Sequence, residues 1–375
     1  MLPEYPEAQR RAFARNLLRN ALRLVRGENL LIETWSATLP WAVSMSQEAR
    51  TLGAQPLLTV HDEEAYWRSV DTAPTSQVGR VGEHEWAALK ASDAYVYFFG
   101  PMDAEREEAL PPVVARRADA NNHELMRLIQ KYRVRSLRWD LGRTSPLWAH
   151  RYGVKLDSWR RELIDAAMLD PAGMHRDGVR IGGRLRRGRE VTISHPNGTD
   201  LTLRLAHRRP KVDDGVIDKR DVQEGNVMLV VPAGVVSVTV DERYGEGTFV
   251  SNQMGVLWDT TSETPLPAGR WTFRDGNLTD VDRGVAGRRM RRSTAALGNP
   301  RLPPGMVSIG LNPRISSIPL LFDQSRGTIT LEFGRNAHIG GRTRGPHIIA
   351  YVDLKGGSLS VDGEPLVERG HLVTS

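Results

Sequence analysis

Val191–Leu205, VTISHPNGTDLTLRL, divides this chain into two kinds of sequence. On either side of Pro196-Asn197-Gly198-Thr199, apolar and polar residues alternate, the period of a strand with one buried face. Asn-Gly tolerates the left-handed backbone of a tight turn, so the stretch predicts a β-hairpin. Short unalternated apolar runs lie upstream of it, and strands and turns dominate downstream.

Upstream, the pattern predicts a helix near Pro6–Leu24 and a strand over Asn29–Glu33. Val43–Leu52 then reads as a helix ended by Gly53, and Pro56–Val60 as an apolar strand. A helix over Glu83–Lys90 leads into the strand Ala94–Phe99, and His123–Lys131 leads into Val134–Trp139. Such runs between helical patterns predict a largely parallel sheet covered on both faces. No G-x-G-x-x-G follows the first strand, so the dinucleotide fingerprint is missing. Trp148–Met168 predicts a further helical connection, broken at Pro171-Ala172-Gly173.

Downstream, strands are expected at Asn226–Val231, Val235–Val240 and Val256–Leu257. Gly269–Val281 predicts a second hairpin about Asp275-Gly276, and Thr294–Leu297 finishes a short helix. The expected fold class is α/β: a parallel, Rossmann-like domain over 1–175, then a mostly β (α+β) domain over 176–375 that contains the functional cleft.

The 375 residues are 40% hydrophobic and 26% charged, a balance that fits a soluble globular protein. No apolar run approaches the length that crosses a bilayer. MLPEYPEAQRRAFARNLLRNALRLV lacks a signal-peptide core and reads as an amphipathic first helix, so a cytoplasmic protein is expected. Cysteine is absent, which excludes disulfides, thiolate nucleophiles and Cys-held metal within this chain. The net charge of +6 comes from bases interspersed with acids, without a finger, zipper or aromatic RNA-binding pattern, so nucleic acid is not the expected partner. The local run Arg184, Arg186, Arg187 and Arg189 reads as a solvated entrance to the second domain.

Candidate chemistry concentrates in Gly327–Asp353, GTITLEFGRNAHIGGRTRGPHIIAYVD. His338 and His347 flank Gly340-Gly341 and are candidates for proton transfer or metal binding. Arg342 and Arg344 share one side of an extended backbone, where their guanidinium groups suit a carboxylate or phosphate. Glu332 and Asp353 supply oxygen ligands or substrate contacts. Elsewhere, Asp165 and Asp170 are nearby acids, Asp213-Asp214-Gly215 opens a turn, and Asp241, Glu242 and Glu246 enclose an apparent Gly-rich loop.

The order of motifs resembles the thermophilic-type leucyl aminopeptidases, peptidase family M29, and the related 2,5-dihydroxypyridine dioxygenase, an iron enzyme of the same fold. ASDAYVYFFG (91–100) resembles the family's central strand, and GREVTISHPNGTDLTLRL (188–205) its entry to the second domain. MVSIGLNP (306–313) resembles a segment of the kind ELGIGTNP. GTITLEFGRN (327–336), Gly340-Gly341 and LSVDGEPLVERG (359–370) follow in the family's order.

The resemblance implies the scaffold, a cleft and a homodimer. It also implies metal-ligand positions, and these are replaced. The first glutamate falls on Val235, the second on Met306 (histidine in the dioxygenase), and the strand histidine on Thr330. The final H-x-D pair falls on Ile348 and Ala350, or on Tyr351 and Asp353 in a shifted fit. The expectation is therefore a divergent, metal-independent member with no cofactor. It would bind or transform a peptide or small carboxylate-bearing molecule, with His347 and His338 moving protons and Arg342, Arg344, Glu332 and Asp353 holding the ligand. The alternatives are a metal-dependent aminopeptidase or other hydrolase rebuilt around His347, Asp353 and Glu332 or Glu246, and a non-catalytic binding or scaffolding protein.

Overall fold

The structure is a computed structural model that describes residues 5–259, 262–316, 321–337, 340–344 and 348–373. The chain forms two units, Met1–Pro171 with Gly215–Ala233, and Ala172–Asp214 with Gly234–Ser375. The expected single change of domain at 175/176 thus becomes three passages, at 171/172, 214/215 and 233/234.

The first unit opens with α1 (Glu7–Asn16), β1 (Asn29–Trp35), α2 (Leu39–Thr51) and β2 (Gln55–His61). It continues through α3 (Glu63–Thr72), α4 (Glu83–Lys90), β3 (Ala94–Phe98), α5 (Ala104–Glu108) and α6 (Pro112–Tyr132). Then come β4 (Arg135–Trp139), α7 (Pro146–Tyr152) and α8 (Leu156–Ala167). All the sheet's pairings are parallel, as the unalternated apolar strands predict. Leu31 and Tyr95 pack with Leu89, Leu128 and Ile129. Phe13, Trp41, Phe98 and Trp139 stack together with ring centroids as close as 4.5 Å. Full burial of a residue such as Phe13 contributes about 2–3 kcal/mol.

The second unit begins with α9 (Ala172–Arg187), the hairpin β5 (Glu190–His195) and β6 (Thr199–Leu205), and β7 (Lys211–Asp213). The predicted break at Pro171 is followed immediately by α9, although Gly178 and Gly182 disfavour a helix. A Cβ on Gly182 would lie 3.0 Å from Val212, and one on Gly178 2.8 Å. The glycines let this helix lie close on the sheet, and that packing outweighs their low propensity. The basic run ends α9, where cations complement the helix dipole, and Arg184 pairs with Glu364.

The chain then returns to the first unit through α10 (Lys219–Glu224) and β8 (Met228–Val231). Asn226–Val231 was expected in the β-rich half; instead β8 pairs in parallel with β4 and completes the order β2-β1-β3-β4-β8. Its short apolar run after a helix is itself the mark of a parallel strand.

The remaining elements are β9 (Val235–Val250), β10 (Gly255–Asp259), β11 (Ser262–Leu266), β12 (Arg270–Arg274), β13 (Asn277–Val281) and α11 (Val285–Ala296). They are followed by β14 (Pro304–Gly310), β15 (Ile329–Gly334), β16 (Ile348–Leu354), β17 (Ser358–Val361), β18 (Glu364–Glu368) and β19 (His371–Leu372). Together with β5, β6 and β7 these strands form a 14-stranded sheet ordered β11-β10-β16-β15-β14-β9-β6-β5-β17-β18-β19, with β7, β12 and β13 attached. The loop expected around Asp241, Glu242 and Glu246 is instead part of β9, which pairs with β7 and β14 in its first half and with β6 and β12 in its second. Among the described residues no helix is long and apolar enough to cross a membrane.

Candidate functional site

Residues directly opposite one another in an antiparallel pair point to the same side of the sheet. Val238, Val307, Leu331 and Val352 therefore share one side, buried with Phe333 against Trp271 and Phe273. The other side carries a polar row of cross-strand partners, Ser237, Ser308, Thr330 and Asp353. A neighbouring row holds Thr239, Met306, Glu332 and Tyr351. Apart from the half-buried Tyr351, these residues are all buried.

Buried polar groups need partners, and the first row supplies them internally. Ser308 Oγ donates to Ser237 Oγ at 2.9 Å, and the Thr330 hydroxyl donates to the Asp353 carboxyl. Burial raises the pKa of Asp353 to about 7 against the opposing effect of the Thr330 hydrogen bond. Asp323, in the turn Phe322–Gln324, is pushed up to about 8 by burial and by the charges of Asp353 and Asp213. Gly310 allows that turn to pack on the polar side, since a Cβ there would meet Ser325 O at 2.0 Å.

Glu332 is fully buried, and burial raises its pKa to about 8. The Tyr351 hydroxyl lies close enough to favour the ionised carboxyl, yet among the described residues neither Glu332 oxygen has a hydrogen bond of ordinary geometry. Burial also raises the Tyr351 pKa strongly, with the Glu332 charge adding to it. Three carboxyls that change protonation near neutrality can both donate and accept, the property required of general acids and bases.

A different carboxylate organises the Gly340-Gly341 loop. Glu242 accepts from Arg208 Nη1 and Nη2 at 2.7 Å, from Asn336 Nδ2 at 3.0 Å and from the Arg342 N–H at 2.6 Å. Burial works to raise its pKa, but these donors outweigh it and hold it down at about 2. Asn336 also donates to Gly305 O at 3.1 Å and accepts the Thr343 N–H at 3.0 Å. A Cβ on Gly341 would lie 2.0 Å from Asn336, so the second glycine is demanded by this clasp.

The predicted residues divide accordingly. Glu332 and Asp353 lie on the polar side, together with Met306 and Thr330, and with Val235 two residues before Ser237 on β9. Ile348 and Ala350 are fully buried on the apolar side, whereas Tyr351 and Asp353 face the polar one. Arg342 and Arg344 are exposed in the bend after Gly341 and do not continue a strand. His338 and His347 lie outside the described residues. Glu246 accepts the Asp275 N–H at 2.6 Å and pairs across from Thr202, in a different part of the sheet from Glu332. Asp241 forms an ion pair with Arg243 that holds its pKa at about 2 despite burial, which removes it from acid–base work near neutrality. Ser237, Ser308, Asp323 and Asn336 were not anticipated. Alternation in VVSVTV and MVSIG signals a polar strand face at the two serines, but Asp323 and Asn336 carry no comparable signal.

At the positions where the resemblance expects ligands, the described side chains are a poor fit to a divalent ion. Val235 offers no donor, Met306 a soft thioether, and the Thr330 hydroxyl is committed to Asp353. Among the described residues no group of three or more His, Asp or Glu side chains is placed to hold a metal.

Over 98% of this chain and all of the other, the structure is similar to wild-type AmpT from Thermus thermophilus, with a TM-score of 0.69 and 17% identity. The fold is aminopeptidase M29-like. The M29-like fold is shared with 2,5-dihydroxypyridine dioxygenase from Pseudomonas putida KT2440, at a TM-score of 0.66 and 15% identity over 99% of each chain. No protein-family model and no curated protein matches the sequence.

Proposed function

We propose that this protein is a divergent, metal-independent member of the aminopeptidase superfamily that binds or transforms a peptide or small carboxylate-bearing molecule on the polar side of its second unit. The observation that supports this reading is the exchange along that side. Val235, Met306 and Thr330 stand where the resemblance expects metal ligands, beside a set of buried hydroxyl and carboxyl groups. A carboxyl that is neutral near pH 7 donates a hydrogen bond to a ligand carboxylate, which an ionised one repels. The exposed Arg342 and Arg344, on a loop fixed by Glu242, supply the charge that attracts such a ligand.

Calorimetric titration of the full-length protein with a dipeptide, in the presence of chelator, tests this reading. Binding that survives the chelator and falls in Arg342→Ala is expected. Binding or turnover that appears only when a divalent metal is restored would favour the rebuilt hydrolase instead. The reading also carries a homodimer, which sedimentation equilibrium checks.

A further inference from the structure

The first unit carries a separate cluster of titratable and aromatic side chains at the carboxyl end of its sheet. In the order β2-β1-β3-β4-β8, the chain leaves β1 toward β2 on one side and returns to β3 on the other. Between β1 and β3 the winding reverses, and open parallel sheets bind ligands beyond the strand ends at such a point.

Glu33 is near the end of β1 and His61 ends β2. His61 Nε2 and Glu33 Oε1 are 2.8 Å apart, and the Tyr95 hydroxyl donates to Glu33 Oε2 at 2.6 Å. The side chains of His61 and Glu33 keep 35% and 28% of their exposure, so solvent reaches this pair. The Trp35 ring lies 5.2 Å from His61 and 5.3 Å from Tyr66, while Tyr97 meets Phe99 edge-on at 5.8 Å. The register puts Glu33 beside Tyr97 and Trp35 beside His61, on one side of the sheet. Glu85, from α4, adds a second negative charge that acts on both His61 and Tyr95. Arg138, also on this side, is neutralised by its two bonds to Asp140 at 2.6 and 2.9 Å.

We propose that this cluster is a second binding site, for a small organic cation with an aromatic or planar body. Two carboxylates beside π-faces are the combination that holds such cations, through charge pairing and cation–π attraction. The site is independent of the reading given for the second unit. His61 acts as its internal competitor. Its hydrogen bond to Glu33 raises its pKa against the effect of burial, and a protonated imidazole occupies the charge that the ligand needs. The groups around it are Glu33 and Trp35 on β1, Tyr95, bonded to Glu33, on β3, Tyr66, packed on Trp35, on α3 and the charge of Glu85 on α4. Cation binding should therefore strengthen as pH rises and the imidazole loses its proton.

Titration of the full-length protein with benzylamine, followed by tryptophan fluorescence and calorimetry, tests the proposal, with benzoate as the anionic control. Saturable benzylamine binding is expected, with a Kd on the order of 1 mM at pH 8. It should weaken by roughly tenfold in Glu33→Gln and by several-fold at pH 6, with benzoate not binding. Absence of saturation, equal binding of benzoate, or Glu33→Gln binding unchanged in a folded variant would each overturn it. If Glu33→Gln does not fold, the wild-type comparison at pH 6 and pH 8 decides, and tighter or equal binding at pH 6 rejects the site.

Discussion

Met306 and Glu332 are cross-strand partners on the polar side of the second sheet. On that row β14 contributes a thioether, and the nearest carboxyl belongs to β15. There it is fully buried, and none of the described residues sets a positive charge beside it. Its pKa of about 8 follows from that isolation and has a measurable consequence.

A buried carboxyl whose folded pKa is raised favours the folded state while it stays protonated. Below the unfolded value of 4.5 the folded and unfolded groups bind protons equally. Between 4.5 and about 8 the folded state holds the extra proton, so stability falls as pH rises. Asp353 and Asp323 act in the same direction from 3.8 to about 7 and about 8. Glu332→Gln should remove one of these contributions. The melting temperature of the variant relative to wild type is expected to rise from pH 5 to about pH 8 and to level off above it, and a flat difference throughout would contradict the assignment.

Glu242 has the opposite sign. Its folded pKa of about 2 means that its stabilisation is present above 4.5 and lost as pH falls toward 2. Replacing it by Ala leaves the Arg208 charge with only the Val240 carbonyl and takes away the acceptor of the Arg342 N–H, at a cost of about 3 kcal/mol in urea unfolding. The same variant should be cut by protease within the Asn336–Arg344 loop faster than wild type.

The two glycines of that loop separate crowding from backbone strain. Gly341→Ala places a methyl group against the Asn336 amide and should cost about 2 kcal/mol. Gly340 has a φ of +88° but open space around it, so Gly340→Ala should cost about 1 kcal/mol. Chemical denaturation of both variants checks the order.

Much of the architecture is legible in the sequence because hydrophobic period is local. VTISHPNGTDLTLRL announces its hairpin, and the short apolar runs announce parallel strands. What escapes depends on partners distant in sequence. Gly245 and Gly247 make β9 look like a loop, yet Gly247 allows the close crossing of β6, where a Cβ would meet Asp200 O at 2.1 Å. The M29-like motifs identify the scaffold, but facing decides the site. Ile348 and Ala350 differ from Tyr351 and Asp353 only by a shift of three residues, which moves the pair to the opposite side of the sheet. Asp323 becomes part of the site through a turn packed on Gly310, a contact no local pattern announces.

Metal content tests the central claim most directly. Protein purified without chelator, then equilibrated with zinc, manganese or ferrous iron and desalted, should carry metal well below one ion per chain, with the same content in a Glu332→Gln, Asp353→Asn double variant. Reproducible stoichiometric metal in the wild type that disappears in the double variant would contradict it.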